Sequence, residues 1–187
     1  REQEIRNMSV IFNQIESEIL PTLRRGEIAF NFSGVQKTEQ EVARMAITNP
    51  DNLTFDELMY AASLTHNYAS KLQIYTAATE RFASEWAGWN NAGAIALYLN
   101  QLEDSKRFLE TADKLSPNNG MVLANLSLMA LAYKDVELAD HYVQRAIEAG
   151  NEQAEMNQAI ILIKHARYEE AAEQLDGRKC TYNLALL

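Results

Sequence analysis

The chain has 187 residues, of which 47% are hydrophobic, and it carries a formal net charge of −9. This length and composition allow one domain with a substantial core. No apolar run reaches the roughly 18 residues that a membrane-spanning helix requires. The excess of acidic residues makes nucleic acid an unfavourable partner, because phosphate binding needs clustered cations. The single cysteine, Cys180, cannot form an internal disulfide.

The first 36 residues are predicted to form a helix and then a short strand. Apolar residues recur every three or four positions from Ile5 to Leu23, which indicates an amphipathic helix. Over residues 27–32 apolar residues alternate with others, the pattern of a half-buried strand. Such a strand would pair either with a sheet encoded outside this sequence or, by self-association, with strand 27–32 of a second copy. We interpret residues 1–36 as the tail of an upstream domain.

Two capping boxes follow. Thr38 with Glu41 opens a linking helix within residues 37–51, and the dipeptide Asn49-Pro50 ends it. Thr54 with Glu57 opens the first helix of the next region.

A period of 34 residues runs through residues 52–187. A shift of 34 places Trp89 on Phe55 in one direction and on Leu123 in the other, and it places Ala96 and Ala112 on alanines in both directions. A fixed period of this size is typical of helical repeat arrays with two helices per repeat. The expected repeats span 52–85, 86–119, 120–151 and 152–180, with a truncated copy at 181–187.

The motif of the second repeat, W-x-x-A-G-x-x-A followed by a small residue, Leu, Ala and Pro, resembles the tetratricopeptide repeat (TPR). The resemblance implies an all-α fold, a right-handed superhelix of helical hairpins, here preceded by the helix and short β-strand. It also implies a non-catalytic scaffold for protein–protein interaction. The residues that carry the motif are Trp89, Ala92, Gly93, Ala96, Ser105, Leu109, Ala112 and Pro117.

Residues 1–32, and in particular the stretch ILPTLRRGEIAFNF, resemble the closing helix and strand of outer-membrane-protein-A-like peptidoglycan-binding domains. The peptidoglycan-contacting residues of that family have no match in this sequence. The resemblance implies a location in the periplasm or cell envelope. It also provides an alternative function, in which the repeats are an accessory or spacer domain of a larger envelope-anchored or enzymatic protein.

In TPR proteins the first helix of each hairpin, helix A, lines the inner groove. The resemblance therefore assigns a partner-binding groove to helix-A positions that are apolar or aromatic, with few charges. Such a groove suits a protein or peptide that docks as an extended segment or as a helix, and the protein's own upstream or downstream residues are alternative occupants. Asn90 and Asn91 are present, but the Lys and Arg with which some family members grip a C-terminal carboxylate are missing. We name this set the A-helix stripe: Asp56, Tyr60, Ser63, Leu64, Asn90, Ala94, Leu97, Tyr98, Ala124, Leu128, Leu131 and Ala132.

The sequence predicts no catalytic, cofactor or metal site. His66, His141 and His165 have no second ligand at a metal-binding spacing, and the glycines are isolated instead of forming a phosphate-binding loop. No nucleophile motif is present. We therefore expect a chain that is not an enzyme, needs no cofactor and binds a protein or peptide whose identity the sequence does not reveal.

Overall fold

The computed structural model describes residues 37–175. The predicted helix and strand within 1–36 and the predicted repeat remnant at 181–187 lie outside these residues. None of the described helices is long and apolar enough to cross a membrane. The described residues form a 3-10 helix, Pro50–Asn52, and nine α-helices: α1 Glu39–Thr48, α2 Phe55–Leu64, α3 Tyr68–Arg81, α4 Trp86–Tyr98, α5 Leu102–Leu115, α6 Gly120–Ala132, α7 Val136–Glu148, α8 Ala154–Lys164 and α9 Tyr168–Leu175.

Local capping fixes the starts of α1 and α2, and both predicted capping boxes are confirmed. The Thr38 hydroxyl accepts a hydrogen bond from the Glu41 N–H, and the Glu41 carboxylate accepts one from the Thr38 N–H at 2.8 Å. Thr54 and Glu57 make the same two bonds, with 2.8 Å from the Thr54 N–H to the Glu57 carboxylate. Each box satisfies N–H groups that the first turn of a helix leaves without a partner.

The predicted repeat of helical hairpins is confirmed in the described residues. Helices α2 to α9 form four hairpins in which helix A is followed by helix B: α2–α3, α4–α5, α6–α7 and α8–α9. The helices B α3, α5 and α7 begin at Tyr68, Leu102 and Val136, which are 34 residues apart. The helices A α4 and α6 begin at Trp86 and Gly120, again 34 apart. The 34-residue period of the side-chain pattern is therefore also the spacing at which these helices begin.

The turn from helix A to helix B has one conformation in three hairpins. Asn100, Lys134 and Ala166 have φ angles of 58°, 62° and 59°, in the left-handed region. After Asn100, the N–H of Gln101 donates to the carbonyl of Ala96 at 2.8 Å, and equivalent bonds close the other two turns. This is the bonding pattern of a Schellman cap, which ends a helix and reverses the chain. The three turns are 34 and then 32 residues apart, so the spacing between the last two hairpins is shorter by two residues.

The core runs from α1 to α8. One buried cluster lies among α1, α2 and α3, one between α4 and α5, and one from α5 to α8. Tyr75 contacts the first two clusters, and Trp89 contacts the last two, so half-buried aromatic rings join them. A hairpin in such an array buries its apolar face only against its neighbours, which explains why the repeats stack.

Candidate binding surface

Stacking of the hairpins brings the helices A of neighbouring repeats together. Helix α4 packs against α6, and α6 packs against α8. On the other side, grooves lie along the helices B. One groove of about 530 Å³ is lined by residues of α3 such as Leu72 and Thr76, and its repeat equivalent along α5, of about 380 Å³, is lined by Lys106, Arg107 and Glu110. The two sides of the array therefore have different shapes.

Charged residues are distributed unevenly between the two sides of the array. The 13-residue helices α4 and α6 contain no Asp, Glu, Lys or Arg. Helix α5, by contrast, contains seven such residues among 14. Because the helices A are free of charge where the middle repeats stack, the surface that they share is neutral, and the charge of the middle repeats lies on the helices B.

Polar side chains connect successive helices A through one repeated position. Asn125 donates from its amide nitrogen to the Asn90 side-chain oxygen at 2.9 Å. Asn157 donates to the Ala124 carbonyl at 2.9 Å and to the Ser127 hydroxyl at 3.0 Å. Asn91 occupies the equivalent position in α4, and its amide nitrogen lies 3.7 Å from the Met59 sulfur in α2. We call Asn91, Asn125 and Asn157 the asparagine ladder.

The members of the A-helix stripe differ in exposure. Tyr60 is 45% exposed and Tyr98 66%, whereas Asn90 is 3% and Ala124 6% exposed. Asn90 donates to the Asn91 side-chain oxygen of the same helix at 3.3 Å and accepts from Asn125 of α6, so its amide is held between two helices. Asn90 and Ala124 therefore lie beneath the surface of the stripe. Asp56, Tyr60, Ser63, Tyr98 and Ala132 are exposed, and Leu64, Ala94, Leu97, Leu128 and Leu131 are half-buried.

The two tyrosines of the stripe are each held by a neighbouring side chain. The Tyr60 hydroxyl donates to the Glu39 carboxylate at 2.6 Å, and this bond raises the pKa of Tyr60 above its ordinary value. The Tyr98 ring stacks on Tyr68, with 4.0 Å between centroids and 26° between planes. A hydrogen bond with Tyr68 raises the pKa of Tyr98. Both rings thus present an apolar face with a fixed orientation.

The structure extends the stripe into the fourth hairpin, which the sequence reasoning did not include. The register of 32 residues between α6 and α8 places Met156, Ile160 and Ile163 where Ala124, Leu128 and Leu131 lie one repeat earlier, and all three are half-buried. The sequence contains the information needed for this extension, because a spacing of 32 residues between the last two hairpins, in place of 34, aligns α8 with α6. We add these residues to the A-helix stripe.

The described residues offer no group of three or more His, Cys, Asp or Glu side chains that could hold a metal ion. His66, His141 and His165 all lie at the surface of the described part of the chain. A groove of about 790 Å³ is lined by mixed polar side chains that include Asp140, His165 and Arg167. Within this groove, the Arg167 guanidinium group forms an ion pair with the Glu170 carboxylate.

Comparisons with known proteins place the fold. No family model matches the chain, and no curated protein matches it. Among solved structures, MamA 41-end from Desulfovibrio magneticus RS-1 is similar, with 17% identity, a TM-score of 0.57, and coverage of 73% of this chain and 77% of that one. The MamA RS-1 ArsTM double mutant has 14% identity, a TM-score of 0.58, and coverage of 73% and 79%. YrrB, a TPR protein with an unusual peptide-binding site, has 20% identity, a TM-score of 0.55, and coverage of 74% and 73%.

These likenesses establish that the chain has a TPR-like fold, as the repeat motif implies. The resemblance of residues 1–32 to outer-membrane-protein-A-like domains finds no support in the comparisons, and it falls outside the described residues.

Proposed function

We propose that the chain is a non-catalytic scaffold that binds a protein or peptide through the A-helix stripe. The observation that carries this proposal is a row of partly exposed apolar side chains, among them Leu97, Leu128 and Leu131, on helices that are free of charge in the middle of the array. Apolar area on such a row gains roughly 25 cal/mol per Å² when a partner removes it from water.

The distribution of charge also favours the helix-A side of the array as the binding surface. The chain carries a net charge of −9, yet α4 and α6 carry none. A charged surface keeps the rest of the molecule solvated, whereas a contiguous apolar surface with a charged surround is typical of an interaction site. Among the structures with this fold, YrrB is a peptide-binding TPR protein, which also favours a peptide or protein as the partner.

The test compares substitutions of one kind on the two sides of the array. Leu97→Asp and Leu128→Asp place a carboxylate within the A-helix stripe. Leu138→Asp makes the same change on α7, a helix B, at a side chain that is 38% exposed. Circular dichroism and thermal unfolding verify that each variant is folded before binding is measured.

Quantitative affinity purification from the source organism then compares the wild-type chain with the three variants. We expect a set of proteins that the wild-type and Leu138→Asp chains retain and that both stripe variants lose, because a buried carboxylate without a partner opposes docking. If folded Leu97→Asp and Leu128→Asp chains retain every protein that the wild type retains, the A-helix stripe is not the binding surface.

A further inference from the structure

We infer that the segment that binds to the A-helix stripe is an amphipathic helix, and that this helix places an uncharged face on the stripe. This inference rests on the proposed function and specifies its ligand. The sequence left an extended segment and a helix as alternatives. The hydrogen bonds that the structure adds to the stripe distinguish between them.

The polar side chains of the stripe donate to atoms of the protein itself. The Tyr60 hydroxyl donates to Glu39, and the Ser63 hydroxyl donates to the Tyr60 carbonyl at 2.7 Å. Every amide nitrogen of the asparagine ladder points to an atom of the preceding helix A. Asn157 of the ladder is only 7% exposed, and Asn90, which accepts from Asn125 of the ladder, is 3% exposed.

An extended segment would bring a backbone that needs such donors. Each residue of an extended chain presents one N–H and one C=O group, and a groove that removes them from water must replace their hydrogen bonds. A helix satisfies its backbone groups internally and presents only side chains to a groove. Because the asparagine amides are already engaged within the ladder, the stripe favours the ligand whose backbone needs no partner.

The absence of charge on α4 and α6 specifies the docking face of that helix. A Lys, Arg, Asp or Glu pressed against these helices would lose water and find no opposite charge on them. The stripe combines small residues, such as the half-buried Ala94, with larger ones, such as Leu97 on the same helix and Leu128 at the equivalent position one repeat later. Leu, Ile, Val or Met side chains spaced three and four residues apart would fit such a surface.

The experiment selects ligands for the complete 187-residue chain from two displayed libraries. In the first, a stable helical scaffold carries one face randomised at positions i, i+3, i+4 and i+7. In the second, unstructured linear peptides of equal length carry a proline at every third position, which prevents helix formation. Dissociation constants of the selected ligands are measured for the wild-type chain and for Leu97→Asp, Leu128→Asp and the control Leu138→Asp.

We expect the helical library to supply the tighter ligands, with uncharged apolar residues on the randomised face. Their dissociation constants should rise at least tenfold for the two stripe variants and stay within twofold for Leu138→Asp. If the proline library yields ligands of equal or higher affinity with the same dependence on Leu97 and Leu128, the helix inference is wrong while the proposed function stands.

Two other outcomes are decisive. If neither library yields a ligand that depends on Leu97 or Leu128, the proposed function itself fails. If the wild-type chain sediments as a dimer and the folded Leu97→Asp chain as a monomer, a second copy occupies the stripe, and the inference of a separate helical partner is overturned.

Discussion

The close approach of α4 and α5 at Gly93 leads to a sharp prediction about stability. A Cβ atom at this position would lie 2.6 Å from Cγ and 2.7 Å from Cδ2 of Leu109, and 3.3 Å from its backbone nitrogen. Leu109 is 0% exposed, so its side chain is enclosed by other atoms of the protein. On the same side, the Ser105 hydroxyl donates to the Gly93 carbonyl at 2.9 Å, which holds the two helices together.

Two opposing effects determine the size of the change in Gly93→Ala. Overpacking a closed core costs about 1–3 kcal/mol, and the full burial of Leu109 places this site near the upper end. Replacing a glycine inside a helix by alanine stabilises the helix by about 1 kcal/mol. We therefore expect a net loss of about 2 kcal/mol in the free energy of unfolding, or a melting temperature lower by roughly 4–8 °C.

Gly88 supplies a matched control in the same helix. A Cβ atom there would lie 3.5 Å from Phe55, 3.7 Å from Ala78 and 3.8 Å from Thr79, all of them ordinary van der Waals distances. Gly88→Ala therefore gains the helix propensity without overpacking, and we expect it to raise the free energy of unfolding by up to about 1 kcal/mol.

The next repeat shows how the overpacking expected in Gly93→Ala can be relieved. There Ser127 takes the place of Gly93, and Val143 takes the place of Leu109, both with 0% exposure. Leu109→Val alone should cost about 1 kcal/mol for the lost methylene group. Combined with Gly93→Ala it should cost less than the sum of the two single changes, by about 1–2 kcal/mol.

Urea and thermal unfolding, followed by circular dichroism, measure all four variants. The reasoning is refuted if Gly93→Ala is as stable as Gly88→Ala, because the two sites would then differ only in a contact that has no effect. It is equally refuted if the effects of Gly93→Ala and Leu109→Val are additive.

Three further predictions concern caps and the asparagine ladder. Thr54→Ala should lower the free energy of unfolding by about 1 kcal/mol in urea titrations, since the Glu57 N–H loses its acceptor; an unchanged midpoint would contradict this. The hydrogen bond from Lys37 and then the cap at Thr54 hold the pKa of Glu57 below its ordinary value of 4.5. Its contribution to stability is therefore present above pH 4.5 and lost as the pH falls through the lower folded value, so the melting temperature of Glu57→Gln should depend less on pH in this range than that of the wild type. Asn157→Ala removes the donor to the Ala124 carbonyl and the Ser127 hydroxyl, and we expect a loss of about 1–3 kcal/mol in chemical unfolding; a loss below 0.5 kcal/mol, roughly that of an ordinary surface substitution, would show that the ladder does not stabilise the stack.

The sequence determined the features that depend on neighbours along the chain. The capping boxes at Thr38 and Thr54 need only residues three positions away, and each was predicted at the residue where the helix begins. The 34-residue period was readable because each hairpin meets the same packing requirement as the one before it, so small and large residues recur at matching positions. The fold class followed from that repetition.

Tertiary structure alone decided which of these positions remain available to a partner. Asn90 was assigned to the groove because it occupies a helix-A position, yet Asn125, 35 residues later, covers and hydrogen-bonds it. Gly93 is part of the repeat motif, but the sequence does not show that α5 approaches so closely there that a Cβ atom would lie 2.6 Å from Cγ of Leu109. Both facts depend on pairs of residues that are distant in the chain. A periodic pattern gives the orientation of a helix, whereas the distance between two helices is set by the side chains that meet across them.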